Sequence, residues 1–229
     1  MEIHGLQKLT LLDYPGHTAC TVFFAGCNFY CPFCHNSELI NPKIAQPLMD
    51  EQELLEFLQK RQGLLDGVCI SGGEPTLQPD LPYLLKEIKK LGYKIKLDTN
   101  GTMPKVIKHL TDNNLVDYIA MDIKTSLENY SNLAGVETNI DAVRASVEFI
   151  MFCGIEYEFR TTVIKNLHKT SDFSAIGQWL KGARAYYLQP FVQRDTVPIA
   201  GLSAPDDQEL QNFLVEIKKY IPNASIRGK

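Results

Sequence analysis

Short apolar and β-branched runs alternate along the chain with amphipathic stretches of helical period. The runs lie at 18–24 (TACTVFF), 67–71 (GVCIS), 93–99 (YKIKLDT), 117–123 (DYIAMDI), 155–164 (IEYEFRTTVI) and 185–191 (AYYLQPF). Their length and their β-branched or aromatic content predict six strands. Apolar positions of helical spacing predict helices over Asp50–Gln62, Asp80–Leu91, Pro104–Asn113, Ile140–Cys153, Ser171–Leu180 and Asp206–Tyr220. Several helix ends carry their own chemistry. Asp50 followed by Glu53 is an acidic variant of the capping box, which satisfies free amides of a first turn. Pro104 suits a first turn because its fixed φ is already helical. Gly63, Gly92 and Gly154 can take the left-handed conformation that ends a helix.

Six strand–helix units in strict alternation predict an α/β fold with a parallel sheet and right-handed crossovers. Six falls short of the eight units that close a full TIM barrel. The candidates are an open doubly wound sheet and a partial (β/α)6, TIM-like barrel, and periodicity alone does not choose between them. A single domain is expected over 1–229. It comprises an edge segment over 1–17 able to add a small hairpin, a core over 18–191, and a C-terminal helix and tail over 192–229.

Composition narrows the function classes more than the fold. Apolar residues make up 45% and charged residues 22% of the chain, and the net charge is −4, so there is no basic footprint for nucleic acid or an anionic membrane surface. No apolar stretch approaches transmembrane length. The first sixteen residues lack a basic region followed by an apolar run, so no secretory leader is expected. A cytoplasmic location follows as an expectation, and there thiols stay reduced.

That matters for residues 25–36, AGCNFYCPFCHN, where Cys27, Cys31 and Cys34 fall within eight positions. A disulfide set is disfavoured by the compartment and by the odd count. A zinc site using His35 as fourth ligand fits the donor chemistry, although adjacent Cys34 and His35 would strain to reach one tetrahedral ion. The stretch 31–35 also matches a haem attachment signal, which would leave Cys27 without a role. A cubane iron–sulfur cluster with three thiolates is favoured, because it keeps one iron open for chemistry.

The other unusual residues fall at the same end of the predicted strands. Ser71-Gly72-Gly73-Glu74-Pro75 follows the second strand, Asp98-Thr99-Asn100-Gly101 the third, and Asp122-Ile123-Lys124 the fourth; Arg160 lies in the fifth and Gln189 ends the sixth. The carboxyl ends of parallel strands share one face, where ligands bind. Glycines there let backbone approach a ligand closely. Asp98 and Asp122 each end an apolar strand, where a carboxylate must be paired or coordinated. Ion pairs with Lys96 or Lys124, a hard-cation site and hydrogen bonds to a ribose all remain open.

Taken together, Cys27, Cys31, Phe33 and Cys34 in a C-x3-C-x2-C arrangement, followed by Gly-Gly-Glu-Pro, resemble the radical SAM superfamily. Within it, Cys34-His35-Asn36, Asp98–Gly101 and Asp122–Lys124 resemble the glycyl-radical-enzyme activases. The nearest likeness is to activators of anaerobic ribonucleoside-triphosphate reductase, with pyruvate formate-lyase activating enzymes as near cousins. The likeness runs from about Asp13 to Gln189. It implies a partial (β/α)6 barrel and a 4Fe–4S cluster whose open iron chelates S-adenosylmethionine (SAM). One electron then cleaves SAM to methionine and a 5′-deoxyadenosyl radical, which takes a hydrogen atom from a glycine of a partner enzyme.

Carried over by motif, the resemblance makes Cys27, Cys31 and Cys34 the cluster ligands and the catalytic set. It places Gly72, Gly73 and Glu74 at the methionyl amino end, Phe33 near the adenine, and Asn100 among the cofactor-binding residues. Lys124 would meet the SAM carboxylate, and Arg160 either SAM or the partner's glycine loop. Asp98, Thr99, Asp122 and the carbonyl of Ala120 would form a monovalent-cation site. The implied partners are a glycyl radical enzyme and a flavodoxin-type electron donor, without nucleic acid or membrane. Two departures stand out. Pro190-Phe191-Val192 lacks the histidine found there in the formate-lyase activators, and Cys20, Cys69 and Cys153 are scattered, so no auxiliary cluster is expected. The alternatives are a radical SAM enzyme acting on a small molecule, such as a 7-carboxy-7-deazaguanine synthase, and a non-catalytic zinc-binding module.

Overall fold

All six predicted strands are present in the computed structural model, which describes residues 1–228, and two further strands extend their sheet. The chain opens with β1 (Glu2–Ile3), β2 (Gly5–Thr10) and β3 (Ala19–Phe24), then β4 (Met49–Asp50) and α1 (Glu51–Gln59). There follow β5 (Gly67–Gly72), α2 (Leu81–Lys90), β6 (Lys94–Thr99), α3 (Pro104–Asp112) and β7 (Tyr118–Asp122). A short α4 (Tyr130–Ala134) precedes α5 (Ile140–Phe152), and β8 (Glu156–Val163), α6 (Thr170–Trp179) and β9 (Tyr186–Pro190) complete the repeat. The chain ends in α7 (Asp207–Lys218) and β10 (Ser225–Ile226).

The large sheet has eight strands in the order β10-β9-β8-β7-β6-β5-β3-β2. From β3 to β10 every pairing is parallel, and only β2 runs antiparallel, against β3. Its two ends, β2 and β10, are not paired to each other, so the sheet stays open. The edge segment adds a hairpin at one edge, as expected, with β2 as its outer arm against β3, while β1 pairs with β4 in a separate two-stranded sheet. The tail expected after residue 191 contributes a strand as well as a helix, since β10 lies beside β9.

The two faces of the sheet differ in chemistry. Ile95, Leu97, Ile119, Met121 and Phe159 are fully buried in one apolar cluster with Leu84, Ile88, Leu110, Ile150 and Phe173 of the helices. Each such burial contributes about 1.5–3 kcal/mol. The alternate positions, Lys96, Asp98, Tyr118, Asp122, Glu158 and Arg160, face the concave side and pair with one another. Parallel sheets are ordinarily apolar on both faces. A charged inner face therefore marks the side on which function resides.

Local signals held where expected. Asp50 caps α1 in a complete capping box with Glu53, Pro104 opens α3, and Gly63, Gly92 and Gly154 have φ of +78°, +89° and +87°. On the concave side, Arg227 closes the sheet's β10 end. It makes two 2.6 Å hydrogen bonds to the fully buried Glu158, which also accepts from the Tyr118 hydroxyl at 2.8 Å.

Candidate active site

The carboxyl ends of the six parallel strands β3, β5, β6, β7, β8 and β9 surround one open cavity of about 250 Å³. Cys27, Phe33, Gly73, Glu74, Asp98, Lys124, Arg160 and Gln189 all contribute to its wall. All three cysteines of the loop after β3 reach it, and none is in a disulfide. Burial pushes their thiols up, that of Cys27 to about 12, while the ammonium of Lys124 opposes the shift at each.

The cysteine loop is held from several sides. Backbone amides of Gly26 and Cys27 donate to the carbonyls of Leu39 and Ile40 at 2.7 and 3.1 Å, and Tyr30 donates to Ala134 at 2.8 Å. That last bond gives α4 its role: Gly135 ends it at φ +72°, and a Cβ there would stand 2.2 Å from the Tyr30 carbonyl. On another side the segment after β9 straps the loop. His35 donates Nε2–H to the Val192 carbonyl at 2.7 Å and stacks on Phe191, and the Thr196 hydroxyl donates to the His35 carbonyl at 2.7 Å. Where the formate-lyase pattern has a histidine, this chain uses Phe191 and Val192 to seat His35.

These contacts bear on the zinc reading: Nε2 of His35 is committed to the strap rather than turned toward the three thiols as a fourth ligand. Three thiols spread over the wall of one cavity suit a multi-iron cube, whose thiolates attach at separate corners. The other cysteines stand apart: Cys20 and Cys69 are buried in β3 and β5, and Cys153 is half-buried at the end of α5.

Gly72 and Gly73 carry the end of β5 against the cysteine loop. Gly72 has φ +120°, and Cβ atoms at Gly72 and Gly73 would meet the carbonyls of Phe24 and Gly26 at 2.3 and 2.2 Å. Only glycine permits this approach. Their neighbour Glu74 is 1% exposed. It accepts hydrogen bonds from the Thr76 amide (3.1 Å) and hydroxyl, the Thr99 hydroxyl (2.8 Å) and the Asn100 amide (2.7 Å). Burial pushes the Glu74 carboxyl up, and these donors oppose it. The carboxylate thus fixes the loops after β5 and β6 to each other.

Asn100 differs from its expected role in the same way. Its side-chain amide donates to Asn28 at 2.9 Å and its oxygen accepts from Thr102, so it ties the loop after β6 to the cysteine loop. Phe33 is buried against the cavity.

Asp98 and Asp122 form ion pairs. Asp98 accepts from Lys96 Nζ (2.5 Å) and the Ser71 hydroxyl (3.1 Å) and pairs with Arg160 Nη2 (3.2 Å). Asp122 takes Arg160 Nε (2.5 Å) and Lys124 Nζ (3.0 Å). Although burial alone would raise both carboxyls, these cations hold them below the usual range. The expected monovalent-cation site does not fit these residues, because every carboxylate oxygen of Asp98 and Asp122 already faces a cationic side chain. Thr99 is equally committed, donating to Glu74 and accepting from the Gly101 amide at 3.1 Å.

One residue escaped sequence reasoning altogether. His168 is 2% exposed, accepts from the Ile164 amide on Nδ1 (3.2 Å) and donates Nε2–H to the Lys124 carbonyl (2.9 Å). No motif surrounds it, and only the fold brings it beneath Lys124.

The Radical SAM superfamily model matches residues 21–170. The chain belongs to the radical SAM superfamily. As a radical SAM enzyme it is 31% identical to a Methanocaldococcus jannaschii protein provisionally named a glycyl-radical enzyme activating enzyme, over 98% of this chain and 95% of the relative. It is 35% identical to the pyruvate formate-lyase-activating enzyme of Clostridium pasteurianum over 54% of this chain and 52% of that protein. It is 29% identical to the 7-carboxy-7-deazaguanine synthase of Thermococcus kodakarensis, over 74% and 72%. Among solved structures, a radical SAM methyltransferase from Sphaerobacter thermophilus superposes with a TM-score of 0.74. It covers 96% of this chain and 68% of its own at 16% identity, a likeness of fold. Among the described residues no helix is long and apolar enough to cross a membrane.

Proposed function

We propose that this radical SAM enzyme is an activase that generates a glycyl radical on a partner protein, an anaerobic ribonucleoside-triphosphate reductase. The observation that carries the reading is an open sheet, unpaired between β2 and β10, whose strand-end cavity holds three free thiols of one loop together with the ends of five other strands. A lateral opening suits a loop of a protein substrate, and the near full-length likeness to the M. jannaschii activating enzyme supports it. The fit to a 4Fe–4S cluster rests on the donor set and on the glycine approach at Gly72 and Gly73. Cys27, Cys31 and Cys34 would hold the cluster, and the chemistry it would supply when bound is one-electron reductive cleavage of SAM, with the electron coming from a flavodoxin-type donor.

The chain's own residues do the rest. Backbone bonds from the amides of Gly73 and Glu74 to the carbonyls of Phe24 and Gly26 hold the Gly72-Gly73 turn where it can accept hydrogen bonds from an ammonium group, and the Glu74 carboxylate braces the loop after β6 beside it. Lys124, anchored by Asp122 on its side chain and by His168 on its carbonyl, presents a cation to the SAM carboxylate. Phe33 offers an apolar wall for the adenine.

The deazaguanine synthase relative favours a second reading, a radical SAM enzyme acting on a small molecule. Anaerobic incubation of the reconstituted protein with SAM, reductant and candidate glycyl radical enzymes separates the two. A persistent doublet EPR signal on the reductase supports the activase. SAM cleavage without a signal on any candidate, accompanied by formation of a 7-carboxy-7-deazaguanine product from a small-molecule precursor, supports the second.

A further inference from the structure

Arg160 stands in the middle of β8 with its side chain on the charged face, where its guanidinium reaches the adjacent strand β7 and the one beyond it at once. Its Nε lies 2.5 Å from Asp122 of β7, and its Nη2 reaches across β7 to Asp98 of β6 at 3.2 Å. These are two of the four groups that would make the monovalent-cation site implied by the resemblance. A cation site needs oxygen atoms free to point at the ion. Here Asp98 Oδ1 faces Lys96, Asp98 Oδ2 faces Ser71 and Arg160, Asp122 Oδ1 faces Arg160, and Asp122 Oδ2 faces Lys124. Thr99 Oγ1 is committed to Glu74 and Gly101.

Charge argues in the same direction as geometry. Two carboxylates already meet three cations, Lys96, Lys124 and Arg160, with Lys96 1% exposed and the arginine and Asp98 side chains 16% and 14% exposed. An alkali ion would be a fourth positive charge in a poorly solvated cluster, where like charges repel far more than in water. A guanidinium is the better occupant: it stays charged at any accessible pH, and its planar fork addresses two carboxylates in fixed directions.

We propose that Arg160 is the resident cation of this site, taking the position between Asp98 and Asp122 that an alkali-metal ion would require, so that SAM binding by this chain is independent of sodium and potassium. The proposal rests on the reading of the cavity as the SAM site. Arg160 is here a positioning residue: it holds Asp122, and Asp122 holds the Lys124 ammonium.

The test is SAM binding to anaerobically reconstituted protein, measured by calorimetry in sodium, potassium and choline chloride at equal ionic strength. The three dissociation constants are expected to agree within about twofold. Tightening of about tenfold or more by either alkali ion over choline overturns the proposal while leaving the SAM reading intact. Absence of SAM binding in every salt overturns the SAM reading and the proposal with it. The wild-type comparison decides the matter whether or not variants fold. Arg160→Gln, which frees oxygens on both acids, is expected to weaken SAM binding in choline and to regain affinity in potassium. In the same variant, potassium over choline is expected to raise the melting temperature without SAM present, a readout independent of turnover. An unchanged ratio in a folded Arg160→Gln protein overturns the assignment.

Discussion

The backbone amide of Asn100 donates to Oε2 of Glu74 at 2.7 Å, so one buried carboxylate joins the loop after β5 to the loop after β6. Thr76 and Thr99 complete its set of donors on Oε1. Glu74→Ala strands those donors in a buried site, at about 1–3 kcal/mol for each left unpaired. Urea denaturation is expected to show a loss of at least ~3 kcal/mol. Glu74→Gln, which keeps the shape and one good acceptor, is expected to lose about half as much. Equal stability of Glu74→Ala and wild type would remove the clamp from this account.

The three thiols that reach the cavity are expected to act as one set. Cys27→Ala, Cys31→Ala and Cys34→Ala should each lose the cluster's visible absorbance after anaerobic reconstitution and form no 5′-deoxyadenosine. Cys69→Ala, a buried thiol in β5 outside that cavity wall, should retain both. Loss of iron in all four variants alike would mean that the ligands are misassigned.

Gly73 and Gly92 make a matched pair. A Cβ at Gly73 would stand 2.2 Å from the Gly26 carbonyl and 3.3 Å from Cys27 Cβ, whereas nothing lies within 4 Å of one at Gly92. Gly73→Ala must displace the cysteine loop, and a sharp fall in bound iron per chain is expected. Gly92→Ala has only its positive φ against it, about 1 kcal/mol in thermal or chemical unfolding with iron content unchanged. Normal iron in Gly73→Ala would show that the loop tolerates the displacement.

His168 predicts a pH dependence of stability. Its ring accepts from Ile164 and donates to Lys124, which needs the neutral tautomer, and burial lowers its pKa below the ordinary value near 6.5, against the smaller opposing influence of its hydrogen bond to Lys124 and of Asp172. The unfolded chain therefore takes up the proton first. The histidine's contribution is complete above about pH 6.5 and is lost as pH falls toward its depressed native value. Urea midpoints measured from pH 8 to pH 5 should fall more steeply for wild type than for His168→Gln. Parallel curves would dismiss the histidine as the titrating group.

Arg227 predicts the consequence of opening the β10 end. Glu158 is fully buried, and although burial pushes its carboxyl up, the paired guanidinium of Arg227 holds it below its usual range. Arg227→Ala leaves that carboxylate with only the Tyr118 hydroxyl and should cost about 3 kcal/mol near neutral pH. The deficit should shrink in acid as Glu158 protonates. In a double-mutant cycle with Glu158→Gln, additive losses would mean that the pair is not coupled.

Much of the site was legible because its parts are local in sequence. The spacing of Cys27, Cys31 and Cys34, the glycines after β5 and the acids ending β6 and β7 each declare a chemistry within a few residues. Parallel alternation then places all strand ends on one face, whichever way the sheet curves. What each side chain does there was less legible. Glu74 and Asn100 look like ligand-binding groups until Thr76, Thr99, Asn28 and Thr102 are seen to occupy them. The strap from Phe191 to Thr196 reaches His35 from more than 150 residues away.

By itself the sequence determined the strand–helix alternation, the three-thiol loop and the end of the sheet at which chemistry occurs, because periodicity, glycine punctuation and cysteine spacing act over a few residues. Only the tertiary structure decided that β2 and β10 leave the sheet open and that His168 sits under Lys124. It also decided that Arg160 lies between Asp98 and Asp122, 62 and 38 residues away along the chain. Pairings of that kind depend on which strands become neighbours. Burial then forces each charge to find a partner from whatever the neighbouring strands supply.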